Sequence, residues 1–319
     1  MMRNKTGLLS KGTLQLVVSL IFLARGWLTW RWDSPIRELI WQEAWWTPVL
    51  KNFDITWSHF ARTSDAWISP TLDAIGIFLV ISALLPWLSG ISRLRWMRWL
   101  LLPGIVIVIL DAFSRWVAKD MQAGIGMEYA LQIASPIALL ILLGAKTTSV
   151  RRENFIKWIL LIAAASTFTG HGLYAVGYYS VPLEFRMMTT EILPLSETAS
   201  LMFLKIVGWL DFIVVALIFL PITRRAALAY MACWGGLTTL ARILAYYDTE
   251  LPRYGLDPWL IEALVRTPHW LIPLLLLLRE ISVSYRRGDS NYPSVNNPLS
   301  PPPLRPKGGF KALPPKENS

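Results

Sequence analysis

Apolar stretches long enough to cross a membrane dominate the pattern of the chain. A transmembrane helix needs about 20 apolar residues to cross the roughly 30 Å hydrocarbon core of a bilayer. Eight such windows occur, at 14–30, 72–88, 98–116, 129–145, 157–176, 201–220, 226–246 and 259–278. The pattern predicts an all-α fold, a polytopic transmembrane helix bundle of about eight spans.

Charged residues in the connecting segments alternate between two sets. The basic set holds Arg3, Lys5, Lys11, Arg93, Arg95, Lys146, Arg151, Arg152, Arg224, Arg225, Arg279, Arg286 and Arg287. The acidic set includes Asp33, Glu38, Glu43, Asp54, Asp65, Asp120, Glu184, Glu191, Glu197, Asp248, Glu250 and Asp257. Because short loops rich in Lys and Arg stay on the cytoplasmic side, we predict that both termini are cytoplasmic. We expect a multi-pass protein of a cell membrane, taken as a bacterial inner membrane.

The first window also has features of a secretory signal, because a basic start precedes it. Arg25 follows its apolar core, and no small-x-small cleavage site is present. We therefore predict an uncleaved first span, with a cleaved signal peptide as the alternative.

Composition agrees with a membrane protein. Of the 319 residues, 54% are hydrophobic and 16% are charged, whereas a soluble domain carries about 25% charged residues. The net charge of +10 lies in loops beside apolar windows, which favours membrane lipid as the partner and no nucleic acid. The one cysteine, Cys233, excludes an internal disulfide.

Two weak similarities indicate a tandem repeat within the bundle, which we place at 1–284. Gly76 and Gly208 are 132 residues apart, and so are Pro136 and Pro268. We predict two parallel four-helix units at 14–145 and 157–278. Coincidence among apolar strings is the competing explanation.

The segment 31–71 is a Trp-rich outer loop with six tryptophans. Ser34-Pro35 predicts the start of a helix that lies flat in the interface as an anchor. A lid over an outward-facing cavity is the alternative. Ser69-Pro70 and Asp257-Pro258 predict the starts of the second and eighth spans.

The C-terminal segment 285–319 is Pro-rich, basic and poor in apolar residues. We predict a disordered cytoplasmic tail. Either it is simply solvated, or its Pro298-x-x-Pro301 motif binds a protein partner in extended form. The Trp-rich outer loop is the other predicted surface for a protein partner.

Ionisable residues inside predicted spans are the candidates for function, because charge in hydrocarbon is costly. They are Arg25, Asp111, Arg115, His171, Lys205, Asp211, Arg242, Arg266 and His269. All lie in the outer half or near the middle of their windows, which predicts a net basic polar cavity open to the outside. Such a cavity favours an anionic ligand or a lipid headgroup.

Individual members of this set carry finer expectations. Asp111 and Arg115 are four residues apart on one helix and can pair. Asp211 needs a proton or a cation, and Arg25 and Arg242 are the candidate cations. Alternatively, Arg25, Arg115 and Lys205 snorkel to the headgroups.

The two intramembrane histidines allow several roles. His171 and His269 could ligate a haem, which we disfavour, or bind a quinone carbonyl or relay a proton. A hydrogen bond to a neighbouring helix is the common role of a membrane histidine. The sequence has no GxxxxGK[ST], HExxH or GxSxG motif and no Cys/His cluster, so it predicts no metal site.

The segment 208–243 reads GWLDFIVVALIFLPITRRAALAYMACWGGLTTLARI, and 168–185 reads FTGHGLYAVGYYSVPLEF. A Gly opening a helix, a short basic turn and a small-residue-rich helix resemble the DoxX-like family of four-helix membrane proteins. The resemblance covers 157–278 best. It implies a redox-associated or accessory membrane subunit, in some members linked to quinones.

Three functions therefore remain open. The first is a DoxX-like redox-associated or accessory subunit, and the second is a transporter or binder of a small anion or lipid headgroup. The third is a non-catalytic membrane scaffold. The sequence does not decide whether the chain is an enzyme.

Overall fold

The computed structural model describes residues 10–144, 149–247, 250 and 252–289, and the segment 290–319 of the predicted tail lies outside the described residues. Within these ranges the chain is helical, without a strand. Among the described residues, eight helical stretches are long and apolar enough to cross a membrane: Lys11–Trp32, Trp57–Leu88, Arg93–Ala118, Ala123–Leu143, Val150–Ala175, Glu197–Leu217, Arg224–Ala245 and Asp257–Val283. The predicted all-α bundle is confirmed, and the chain is a multi-pass membrane protein. We number these stretches spans 1 to 8.

The first half of the chain forms spans 1 to 4. Its helices are α1 (Lys11–Trp32), α2 (Ile36–Ile40), α3 (Glu43–Lys51), α4 (Trp57–Ser82), α5 (Leu85–Leu88), α6 (Leu101–Ala118), α7 (Ala123–Glu128) and α8 (Ala130–Leu143). A 3-10 helix, Ser92–Leu100, precedes α6. Helices α2 and α3 lie between spans 1 and 2.

The second half forms spans 5 to 8. Its helices are α9 (Val150–Ala175), α10 (Leu183–Ile192), α11 (Glu197–Leu217), α12 (Arg224–Ala245), α13 (Pro252–Val265) and α14 (Pro268–Asp289). Helix α14 continues to Asp289, so residues 285–289 of the predicted tail are helical.

Alternation of the spans defines two faces of the bundle. The terminal face carries the described chain ends, Ser10 and Asp289, and the loop face carries α2, α3 and α10. The loop face is the side predicted to lie outside.

Four long helices begin at a hydroxyl N-cap. Ser10, Thr56, Ser149 and Ser196 each accept a hydrogen bond from the backbone N–H three residues later. Such caps satisfy one of the free N–H groups at a helix start.

The predicted start of span 2 at Ser69-Pro70 was wrong, whereas span 8 does begin at Asp257, inside a helix that starts at Pro252. The Thr56 cap starts α4 well before Pro70, which lies inside the helix. Pro70 frees the carbonyl of Ala66 from its helical bond, and Ala66 is exposed. Pro258 lies inside α13, and Asp257 accepts a hydrogen bond from Trp27 Nε1 of span 1 at 2.9 Å.

The Trp-rich outer loop contains two short helices. The single flat helix predicted after Ser34-Pro35 is divided into α2 and α3, with Gln42 in an extended conformation between them. Arg37 on α2 forms ion pairs with Asp33, at 2.6 Å, and with Asp65 on α4. These contacts hold α2 against the loop-face end of α4.

Spans 4 and 8 are interrupted helices. Span 4 breaks at Tyr129, between α7 and α8, and span 8 breaks at Arg266 and Thr267, between α13 and α14. At the first break the Thr167 hydroxyl of span 5 accepts from Leu131 N at 3.2 Å. Irregular backbone at membrane depth requires this kind of substitute partner.

Glycines let spans 1 and 2 approach to backbone contact. A Cβ on Gly26 would lie 2.6 Å from the Gly76 carbonyl oxygen, and one on Gly76 would lie 2.8 Å from that of Gly26. Small residues at helix crossings allow close packing in membranes. Gly172 of span 5 faces Gly208 of span 6 in the same way, at 3.2 Å. The tandem repeat stays a prediction, and the two halves share one apolar core.

We predict that Gly26→Ala lowers the thermal unfolding midpoint of the detergent-solubilised protein. The new methyl group would meet backbone atoms, which cannot rotate away, so overpacking should cost about 1–3 kcal/mol. Gly236→Ala is the matched control, because its Cβ would meet nothing closer than 3.9 Å. Equal midpoints for the two variants would contradict the close contact.

Candidate functional site

A buried ion-pair network joins spans 1, 3 and 4. Arg25 Nη1 lies 3.3 Å from Asp111 Oδ2, and Arg115 Nε lies 3.2 Å from the same oxygen. Gln132 Oε1 accepts from Arg25 Nη2 at 2.7 Å. Arg25 is 3% exposed and Asp111 is 5% exposed. The predicted pairing of Asp111 with Arg115 is present, and Arg25 points into the bundle instead of snorkelling.

Tyr129 contributes an aromatic face to this network. The guanidinium of Arg25 lies 5.1 Å from its ring centroid and that of Arg115 lies 5.9 Å away. Tyr129 stands at the break in span 4, which places its ring among the arginines. Cation–π attraction supplements the single carboxylate that the two arginines share.

Two carboxylates missing from the predicted set extend the network into the second half. Glu128 and Glu262 line a small void together with Arg25, Gln132 and Arg266. Both glutamates interact electrostatically with Arg242 and Arg266. The buried network is therefore less basic than the predicted residues alone indicated, since three carboxylates, including Asp111, face four arginines and leave one positive charge in excess.

His171 and His269 meet between spans 5 and 8. Their ring centroids lie 5.3 Å apart with the planes at 88°. His171 Nδ1 lies 3.0 Å from Glu128 Oε1. Because the rings touch edge to face, a porphyrin plane does not fit between them, and this geometry does not suit a haem held by both histidines.

The second half encloses a cavity of about 400 Å³. Its walls are mainly apolar and come from α9, α10, α11 and α12, including Phe168, Phe185, Met188, Leu204, Val207 and Trp234. Its polar residues include His171, Asp211, Arg242, Arg266 and His269. No residue of 31–71 lines it, so the Trp-rich outer loop does not cover this cavity.

The polar residues of this cavity lie at two ends of it, as their distances from the loop-face ends of their helices show. Arg242 lies three residues from the loop-face end of α12, about 5 Å along the helix axis. Asp211 lies 14 residues from the loop-face end of α11, about 21 Å along its axis. The arginine and histidine end therefore faces the loop side, and Asp211 lies past the middle of its span.

The prediction that Arg25 or Arg242 pairs with Asp211 was wrong. Tyr230 on α12 donates to Asp211 Oδ1 at 3.3 Å, and it is the one polar partner that the described residues give this carboxyl group. Arg25 pairs with Asp111, and Arg242 donates to the Thr238 carbonyl oxygen at 2.9 Å.

The cationic end of the cavity is built by close helix packing. A Cβ on Gly235 would lie 2.6 Å from the His269 carbonyl oxygen, so α12 can approach the break in span 8. His269 is 4% exposed, and its Nε2 has no hydrogen-bond partner within the described part of the chain. A buried polar atom of this kind is costly unless something satisfies it.

Lys205 stands apart from the other predicted residues. Its side chain is exposed on the outer surface of α11 and does not line the cavity. The snorkelling alternative fits Lys205. Among the described residues, no cluster of His, Cys, Asp and Glu has the arrangement of a metal site.

The fold and site define a multi-pass membrane protein with a buried charge network beside an apolar cavity. No protein-family model matches the chain, and neither a curated protein sequence nor a solved structure matches it. The resemblance to the DoxX-like family therefore stays a prediction.

We predict strong coupling between Arg25 and Asp111 in a double-mutant cycle. Asp111→Asn should cost about 3–5 kcal/mol, because it leaves two buried arginines without their shared carboxylate, and Arg25→Gln should cost less, because Asp111 keeps Arg115. The double variant should lose far less than the sum. Equilibrium unfolding in detergent micelles measures all four proteins.

The exposed pair of Arg186 and Glu197, at 2.9 Å, is the control for this cycle. An exposed pair contributes only about 0–1 kcal/mol. Equal coupling energies at the two pairs would argue against a buried network.

We predict that Asp211→Asn is tolerated and Asp211→Leu is not. The amide still accepts the Tyr230 hydrogen bond without the cost of a charge in hydrocarbon, about 2.5–3.5 kcal/mol. Leucine leaves the tyrosine hydroxyl without its partner. Thermal midpoints should stay equal or rise for Asp211→Asn and fall for Asp211→Leu. A fall for Asp211→Asn matching that for Asp211→Leu would indicate a cation at this carboxylate.

Proposed function

We propose that this membrane protein binds a ligand with an anionic group at the loop-face end of its cavity. Arg242 and Arg266 bind the anion, and the His269 ring lies beside it. The observation that carries the proposal is the position of these three polar side chains at one end of an otherwise apolar cavity.

The charge balance supports an anion over a cation. Within the described network four arginines, at 25, 115, 242 and 266, face three carboxylates, at 111, 128 and 262. With neutral imidazoles, this end of the cavity has one positive charge in excess, since Asp211 lies at the other end. In a low-dielectric site an unbalanced charge attracts a counter-ion strongly.

Binding at this end also fits the interrupted span 8. The break places Arg266 and His269 beside the cavity, and discontinuous helices at mid-membrane sites are a feature of transporters. We therefore favour a binder or carrier over a scaffold. With the predicted orientation, the anion lies toward the outer leaflet.

A quinone is the second candidate occupant. The unpaired His269 Nε2 accepts in the neutral ring, so it and the apolar walls suit the reduced form of a quinone, whose hydroxyl donates to it, and the DoxX-like resemblance implies redox-associated work. A quinone is uncharged, so His269→Ala would abolish its binding while Arg242→Gln would change it little. Retention of quinone by purified protein, lost in His269→Ala alone, would favour this candidate.

We predict saturable binding of dodecyl phosphate to the protein in phosphatidylcholine nanodiscs. Arg242→Gln should weaken it about 10- to 100-fold, the loss expected for a charge-assisted hydrogen bond of about 1.5–3 kcal/mol. Radiolabelled ligand with empty nanodiscs subtracted gives the dissociation constant.

Lys205→Gln is the matched control, because it removes a cation of span 6 outside the cavity. It should leave the dissociation constant unchanged. An equal loss of affinity in Lys205→Gln and Arg242→Gln would show that the ligand responds to the general positive charge of the protein and not to the cavity. Absence of saturable binding for both dodecyl phosphate and dodecanoate would refute the proposal.

A further inference from the structure

We propose that the ligand is a single-chain anionic amphiphile that reaches the cavity sideways from the bilayer, through a gap between α11 and α12. This inference rests on the proposed function and adds the ligand class and its route. It follows from how these two helices pack, which cavity residues face the lipid, and what covers the loop-face end.

Helices α11 and α12 are neighbours that barely pack on each other along their length. Helix α11 packs mainly on α9, and α12 packs mainly on α14. The contacts that cross between them include the rings of Phe203 and Trp234, whose centroids lie 6.3 Å apart, and the hydrogen bond from Tyr230 to Asp211. Above these contacts, toward the loop face, the helices leave a gap.

Three leucines of α12 mark this gap. Leu237, Leu240 and Leu244 line the cavity, yet they are 59%, 48% and 57% exposed. In a membrane-spanning helix an exposed leucine faces lipid chains. A residue that faces both the cavity and the lipid stands at an opening between them.

The loop-face end of the cavity is covered instead. Phe185, Met188 and Ile192 of α10 form its roof, and the ion pair between Arg186 and Glu197 ties α10 to the start of α11. With a roof on the water side and an opening on the lipid side, a membrane-dissolved molecule has the shorter route into the cavity.

The polarity of the cavity sets the orientation of the occupant. An anionic head fits at Arg242 and Arg266, with His269 Nε2 beside it. The apolar wall formed by Phe168, Leu204 and Val207 then takes one hydrocarbon chain running toward the middle of the membrane. A cavity of about 400 Å³ lies at the small end of ligand sites, which favours one chain over two.

Photolabelling of the full-length protein in phosphatidylcholine nanodiscs tests this inference. The probe is dodecyl phosphate with a diazirine at the end of its chain. We expect mass spectrometry to place the label on cavity-facing segments of α9, α11 and α12. Excess unlabelled dodecyl phosphate should suppress it at least tenfold, and inorganic phosphate at the same concentration should not.

Two substitutions separate the route from the site. Leu240→Trp narrows the gap and should slow labelling at least threefold after mixing, and Leu237→Trp gives a second variant there. Leu210→Trp is the control, because Leu210 is exposed on α11 but does not line the cavity. Equal rates for gap and control variants would overturn the lateral route.

The outcomes also separate this inference from the proposed function. If inorganic phosphate displaces the probe as well as dodecyl phosphate does, and Arg242→Gln still weakens binding, the ligand is a water-soluble anion and only this inference fails. If labelling of the cavity does not depend on Arg242, both fail.

Discussion

A bilayer admits a charged side chain only where a counter-charge, a polar partner or water faces it, and this constraint organises the bundle. Arg25 could not remain in span 1 without Asp111 of span 3 and Gln132 of span 4. The same requirement brings Glu128 and Glu262 to the arginines of spans 7 and 8. The network therefore determines which spans meet near the loop face, and it links the two halves of the chain.

The interruptions in spans 4 and 8 are the structural consequence. A continuous helix presents a side chain every 100°, which limits how many can face one point. Breaks at Tyr129 and at Arg266 let the residues on either side face the same cluster. Backbone contact at Gly235 then brings Arg242 beside them. The cavity forms next to this cluster, where α11 and α12 separate.

Much of the fold follows from the sequence because the bilayer imposes a length and a polarity on every span. The eight windows and the spacing of Asp111 and Arg115 come from these local rules. Helix ends were less predictable. Helix α4 begins at the Thr56 cap and continues through Pro70, because the Ala66 carbonyl that Pro70 leaves without a helical bond lies at an exposed position. The apolar windows also miss the N-terminal parts of α4 and α13, because those parts are less apolar than the rest of each span.

The site was only partly predictable, because pairing between distant spans leaves no local signal. Glu128 was missed since it precedes the window at 129–145, yet span 4 begins at Ala123. Glu262 lies four residues before Arg266, a spacing that would have identified it. The role of Tyr230 could not be predicted, because tyrosines are common in membrane spans and only the fold shows that this one faces Asp211.

The central claim is that the cationic end of the cavity holds the anionic head of a membrane amphiphile. A cryo-electron microscopy map of the protein in nanodiscs, made from its own membranes without added lipid, tests it most directly. The account predicts an elongated density that starts within hydrogen-bond distance of Arg242 and His269 and runs along α11 toward Asp211. A well-resolved map with collapsed walls, or with water alone between Arg242 and Arg266, would contradict it.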